Sequence, residues 1–173
     1  GYDSNTTFSQ LYNSTNINLI VCATCINDKK AYYFCHKKYG SMKVLDAIRM
    51  SIAIPLMIIP KKIGNKYFID GGCMDNYPIH LFADNIENVI GMYVSEKRPI
   101  KDKINNFEEF IIESLSSMME GVTYGLTKGY ENNTIKIFCE TPNISNKTMI
   151  IQTFDSFFDE GFQSAKKYCE LNR

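Results

Sequence analysis

"KYFIDGGCMDNYPIHLF", residues 66–82, decides how the rest of the chain is read. An aromatic and apolar run ends on Asp70. Gly71 and Gly72 follow, then Asp75-Asn76 and Pro78. Two readings compete. Asp-Gly is a strong hairpin signal, because both residues tolerate the dihedrals of a tight turn. Alternatively, a strand that ends on a carboxylate and turns on glycine leaves that carboxylate uncrowded at the end of a sheet. In open α/β sheets, ligands bind outside the carboxyl ends of the strands.

Outward from this stretch, strands and helices alternate. "NINLIVCATCIN" is a buried strand by its continuous run of branched apolar residues. Asn27 to Lys30 form a turn, and "AYYFC" returns as a second strand. "TFSQLYNST" reads as a short helix ahead of them. Ser41 offers an N-cap for "MKVLDAIRMSIAI", where Val44, Ala47, Ile48, Ser51 and Ile52 share a face and Pro55 is the stop. "KYFID" is a short strand. "ENVIGMYVS" and "TIKIFCE" are later strands. Phe107, Phe110, Ile111, Leu115, Met118 and Val122 trace one helix, and Phe158, Phe162, Ala165 and Cys169 a last one. The stripe from Phe107 to Val122 is expected to be core, with a lipid-facing surface as the alternative. The charged run Glu96 to Lys103 reads as a solvated loop. The pattern is an α/β layered fold in one domain, residues 1–173.

Composition sets the class. Hydrophobic residues at 45% and charged residues at 22% are those of a globular chain, and the net charge is zero. No basic stripe suggests nucleic acid. The longest apolar run, "SIAIPLMII" at 51–59, is too short to cross a bilayer. The polar first residues do not read as a secretory signal. Six cysteines lie mostly in apolar stretches, which suggests buried thiols in a reducing compartment. Cys22-x-x-Cys25 lacks the second ligand pair of a zinc site, and a redox pair belongs at a helix start. His36 and His80 are candidates for a serine–histidine arrangement, but no Gly-x-Ser-x-Gly elbow exists in the sequence.

Two blocks taken together narrow the function. "DAIRMSIAIPLMIIP", residues 46–60, lies just upstream of "YFIDGGCMDNYP". The pair resembles the patatin-like phospholipases, lipid acyl hydrolases with an Ala-x-Arg-Ala-Ser-x-Ala-Ile-Pro helix end followed by Asp-Gly-Gly and Asn-x-Pro. Ala47, Arg49, Ser51, Ala53, Ile54 and Pro55 match, as do Asp70, Gly71, Gly72, Asn76 and Pro78; Met50 replaces the commoner alanine. The flanking segments fit too, so the resemblance covers nearly the whole chain.

The resemblance implies a three-layer patatin-like sheet flanked by helices and truncated at its N-terminus. It also implies a serine–aspartate dyad without histidine. Asp70 is the catalytic base on that mapping, and Gly71 and Gly72 form the supporting turn. The nucleophile elbow and the glycine-rich oxyanion loop would lie upstream. Ser51 is not a substitute, since it belongs to the bracing helix. The implied substrate is a lipid acyl ester. No metal or cofactor is implied, and the expected location is cytoplasmic or peripheral to a membrane. Lacking upstream strands, "LIVCATCI" or the strand ending at Asp70 is expected to expose an unpaired edge and to self-associate. The alternative is a non-catalytic remnant that binds lipid or a partner.

Overall fold

The computed structural model describes residues 3–96, 102–139 and 147–171, with backbone alone for residue 96 and for 147–155. Most of the charged run 96–103 lies outside these. The chain divides into two units. One comprises Gly1–Pro78 and Ile112–Leu126, the other Ile79–Ile111 and Thr127–Arg173.

The first unit opens with α1 (Phe8–Thr15). Its N-cap Thr7 accepts from Gln10 N–H, and the Gln10 side chain accepts from Thr7 N–H, a complete capping box. Strands β1 (Val21–Cys25) and β2 (Lys30–Phe34) form an antiparallel hairpin with Val21 opposite Phe34 and Cys25 opposite Lys30. A short helix α2 (His36–Tyr39) leads to α3 (Val44–Ser51). Then come β3 (Lys61–Ile63), β4 (Lys66–Asp70) and the one-turn helix α4 (Gly72–Asp75). The sheet order is β2-β1-β4-β3, and every pairing is antiparallel. Phe8, Val21, Ala23, Cys25, Phe34, Ala47, Met50 and Phe68 form the core. The Phe34 and Phe68 rings meet edge to face at 5.7 Å.

Four expectations change here. Residue Lys43, not Ser41, is the N-cap of α3, and it makes no side-chain cap bond. The helix ends at Ser51, well before Pro55. Its exit is tertiary: Ser51 C=O accepts from Gly71 N–H at 3.4 Å, and Ala53 C=O from Asp70 N–H at 2.9 Å. The face that α3 buries is Ala47 and Met50, while Ile48 and Ile52 stay exposed. Finally, β1 and β4 are not sheet edges. β4 fills one side of β1, and β3 fills the outer side of β4. The β3–β4 hairpin was hidden in "KIGNK", where Gly64 supplies the positive φ of 57° that a two-residue loop needs.

The second unit holds a 3-10 stretch (Pro78–Asn88, from Ile79 on), the parallel pair β5 (Gly91–Glu96) and β6 (Thr134–Cys139), and α6 (Lys147–Leu171) against β6. Ile135 and Ile137 are buried, whereas Met92 and Val94 are exposed. Helix α5 (Phe107–Thr127) runs through both units. Its stripe is not core: Phe107, Phe110, Met118 and Val122 are exposed, and so are Phe158, Phe162 and Cys169 of α6. Each stripe keeps helical spacing, and Phe107 stacks on Phe110 and Phe158 on Phe162. Amphipathic spacing marks a face fit for burial; it does not supply the partner.

Candidate active site around Asp70

Asp70 is the last residue of β4, opposite Ala23 of β1. Its N–H is held by Ala53 C=O, so the end of α3 fixes where the strand stops. Its Oδ1 accepts from Gly72 N–H at 2.7 Å. Burial pushes the carboxyl above its ordinary range, and the Gly72 hydrogen bond partly opposes that. No ion pair with a cation engages it among the described residues.

The turn reading fails on geometry. Gly71 has φ −62° and ψ −33°, right-handed helical values that any residue adopts, and it opens α4 rather than a hairpin. The glycines are needed for space. A Cβ on Gly71 would lie 2.6 Å from Cys22 C=O, a backbone atom of β1 that cannot swing away. One on Gly72 would lie 2.8 Å from Asn76 Oδ1 and 3.0 Å from Asp70 Oδ1. Gly71 thus lets α4 press against β1, and Gly72 lets its own N–H reach the carboxylate. Thr24 Oγ1, buried in β1, donates to Gly71 C=O at 3.4 Å.

A second carboxylate backs the site. Asp75 is 4% exposed, and its Oδ2 accepts from Tyr33 O–H at 2.5 Å. This bond ties α4 to β2, across β1. Burial, then the Asp75 hydrogen bond and charge, push the Tyr33 hydroxyl well above its usual range. Both carboxylates act on Cys22. Burial first, then Asp75 and Asp70, push its thiol up to about 12, so it carries no thiolate at neutral pH. Burial and Asp70 push Cys73 up as well. Neither Asp75 nor Tyr33 was singled out from sequence. "CMDN" contained the signal for the first, but nothing local pairs a strand tyrosine with it.

The other candidates go elsewhere. His36 stacks on Tyr12 at 3.7 Å, and its Nδ1 lies 2.8 Å from Asn18 Oδ1. His80 belongs to the second unit. Gly121-Val122-Thr123-Tyr124-Gly125 has elbow spacing with threonine at its centre, but it lies inside α5. There Thr123 Oγ1 donates to Met119 C=O at 2.8 Å, as a helical threonine does. Ser51 serves the site through its backbone carbonyl. A groove of about 570 Å³ in the second unit, lined by Lys136, Phe138, Ser164 and Tyr168 among others, holds none of the motif residues. Among the described residues, no cluster of three His, Cys, Asp or Glu could hold a metal ion. Nor is any helix of theirs long and apolar enough to cross a membrane.

Comparison with known proteins bears on the same stretch. Residues 8–83 match the patatin-like phospholipase family. An uncharacterized protein of Acanthamoeba polyphaga mimivirus is 32% identical over 127 residues, 69% of this chain and 41% of that protein. A probable lipid hydrolase of Invertebrate iridescent virus 6 is 33% identical over 75 residues, 43% of this chain and 26% of that protein. The chain therefore spans less than half the length of either relative. The crystal structure of VipD from Legionella pneumophila is similar in fold, with a TM-score of 0.59 at 15% identity over 94% of this chain and 35% of that one. The matched segment runs from α1 through β4 and α4, and so contains the whole constellation around Asp70. Residues 8–83 of this chain belong to the patatin-like phospholipase family.

Proposed function

We propose that this chain supplies the aspartate of a serine–aspartate dyad in a lipid acyl hydrolase. The nucleophilic serine then lies in sequence outside these 173 residues. One observation carries the reading: half-buried Asp70 ends β4 with its N–H held by Ala53 C=O and its Oδ1 by Gly72 N–H, burial raises its pKa, and no cation pairs with it among the described residues. An ordinary aspartate is a weak base for a hydroxyl, and burial corrects that.

Gly72 N–H occupies Oδ1 and leaves Oδ2 to take the proton. The serine oxygen attacks the ester carbonyl carbon, and its proton passes to Asp70. The tetrahedral oxyanion is held by backbone N–H groups of a glycine-rich loop. As the C–O bond breaks, the alcohol leaves with the proton from Asp70. Water then attacks the acyl-serine, gives a proton to Asp70, and frees the fatty acid; that proton returns to the serine oxygen. The substrate is an acyl ester of a membrane or storage lipid, met at a lipid surface.

The test is Asp70→Asn in the full-length protein, assayed on a short-chain nitrophenyl ester and on phospholipid vesicles. Loss of one general base is expected to lower kcat by about 10²–10⁴-fold, with the circular dichroism spectrum unchanged. Activity that survives the substitution overturns the dyad assignment. A second reading rests on one observation, that the 173 residues contain no nucleophile elbow: the domain is a non-catalytic remnant that binds lipid or a partner. A fluorophosphonate probe separates the two. Labelling of an upstream serine supports the hydrolase; a full-length protein that takes no label supports the remnant.

A further inference from the structure

Between α3 and β3 the chain makes a turn that has no reason to exist in water. Residues 52–59 read "IAIPLMII". Ala53 is fully buried against the Asp70 site, yet Leu56, Met57 and Ile59 are 75%, 76% and 80% exposed. Ile54 C=O accepts from Met57 N–H at 3.2 Å, with Pro55 second in the turn and Leu56 third. Leu56 has φ +70°, the left-handed value that a type II turn assigns to glycine or asparagine at that position. A bulky apolar residue there is strained as well as exposed. An observed backbone outlier of this kind points to function.

The base of the turn is fixed while its tip is bare. Lys61 is ion-paired with Asp46, which clamps the start of β3 to α3. Asp70 N–H holds Ala53 C=O, so the turn rises directly from the candidate catalytic residue. Its chain flanks are cationic. Arg49 and Lys62 are exposed, and neither has a carboxylate partner among the described residues. Lys62 Nζ lies 5.4 Å from the Tyr67 ring, itself partly exposed. Apolar tip, lysine and arginine shoulders, and a tyrosine beside them make the composition of a segment that enters a bilayer interface. Exposed apolar patches of this kind mark partner or membrane surfaces, and the cationic flanks favour a surface bearing anionic headgroups.

We propose that residues 54–59 are a membrane-docking finger. It inserts Leu56, Met57 and Ile59 among the acyl chains of an anionic lipid surface and sets Lys62 and Arg49 at headgroup level. The finger brings the lipid ester to Asp70, and in that respect the proposal rests on the hydrolase reading. Docking itself needs no catalysis, so the two are separable.

The experiment uses the full-length protein, flanking sequence included. Co-sedimentation is measured with vesicles of phosphatidylcholine alone and of phosphatidylcholine mixed with phosphatidylserine. Leu56→Asn paired with Met57→Ser removes the apolar tip, and asparagine tolerates the positive φ, so the fold is kept. That pair is expected to weaken binding to the mixed vesicles by roughly tenfold or more, with a thermal midpoint equal to or above the parent's. Lys62→Glu is expected to erase the preference for the anionic mixture. Asp70→Asn should bind as the parent does. Should that last variant stay active while the finger variant loses binding, the dyad fails and the docking surface stands. The 173 residues contain no tryptophan, and Met57→Trp, read as the difference from the parent's emission, gives a local probe that should shift to the blue on mixed vesicles. Two results overturn the proposal. One is unchanged vesicle binding by the finger variant. The other is an indole emission from the Met57→Trp variant already blue without lipid and unmoved by it, which means that protein, from the same or a second polypeptide, covers the turn.

Discussion

At residue scale, the Asp-Gly-Gly triplet separates two uses of glycine. Gly64 is present for its dihedral, with nothing within 4 Å of where its Cβ would be. Gly71 is present for its size. Gly64→Ala should therefore cost about 1 kcal/mol, the left-handed penalty alone. Gly71→Ala must move β1 or α4 and should cost about 1–3 kcal/mol, measurable by urea unfolding, with lower activity as well. Equal costs at the two positions would contradict this distinction. Asp70 carries a pH signature. Its pKa is raised in the fold, so the native state holds the proton more tightly than the unfolded chain does. Its contribution to stability is fully present below the unfolded pKa and is lost as pH rises through the folded pKa. Asp70→Asn should thus be at least as stable as the parent at neutral pH, and its advantage should vanish in acid. On the proposed dyad the catalytic pH profile runs the other way: activity needs Asp70 ionised and should fall as pH drops through a pKa above the ordinary carboxylate range.

At the scale of elements, the site depends on joints between segments far apart in sequence. Tyr33 of β2 and Asp75 of α4 are 42 residues apart, and their hydrogen bond spans the strand between. Tyr33→Phe keeps the ring and removes one donor from a buried carboxylate. The expected loss is about 1–3 kcal/mol, with a rise in backbone amide exchange confined to α4. A substitution without effect on α4 exchange would show that the helix is held by its contact with β1 alone. The end of α3 is a joint of the same kind. Two of its exit carbonyls serve Gly71 and Asp70. Helix length there is set by the site, not by Pro55.

At the scale of the molecule, the described chain leaves many apolar groups in water. Outside the 52–59 turn, they lie on α5 and α6 and on strands β5 and β6. Parallel strands are ordinarily covered on both faces. The 173 residues produced alone are therefore expected to bind a hydrophobic dye and to sediment as a mixture of oligomers. A monodisperse, dye-silent chain would remove the case that these faces await a partner.

Short-range chemistry was legible from sequence alone. The short helix at "TFSQLYNST", the β1–β2 hairpin, the strand "KYFID" ending on Asp70, and the motif pairing of 46–60 with 67–78 all rest on neighbours in the chain. So did the α/β class, through periodicity. Tertiary structure decided what long-range contact alone can decide. Whether Gly71 turns a hairpin or opens a helix depended on Cys22 C=O, 49 residues away in the chain. Which strands are edges depended on β3, whose "KKI" has no apolar alternation to show it. The apolar stripes of α5 and α6 and the run at 52–59 look alike in sequence. Periodicity reports that a face is apolar, and only packing reports what, if anything, lies against it.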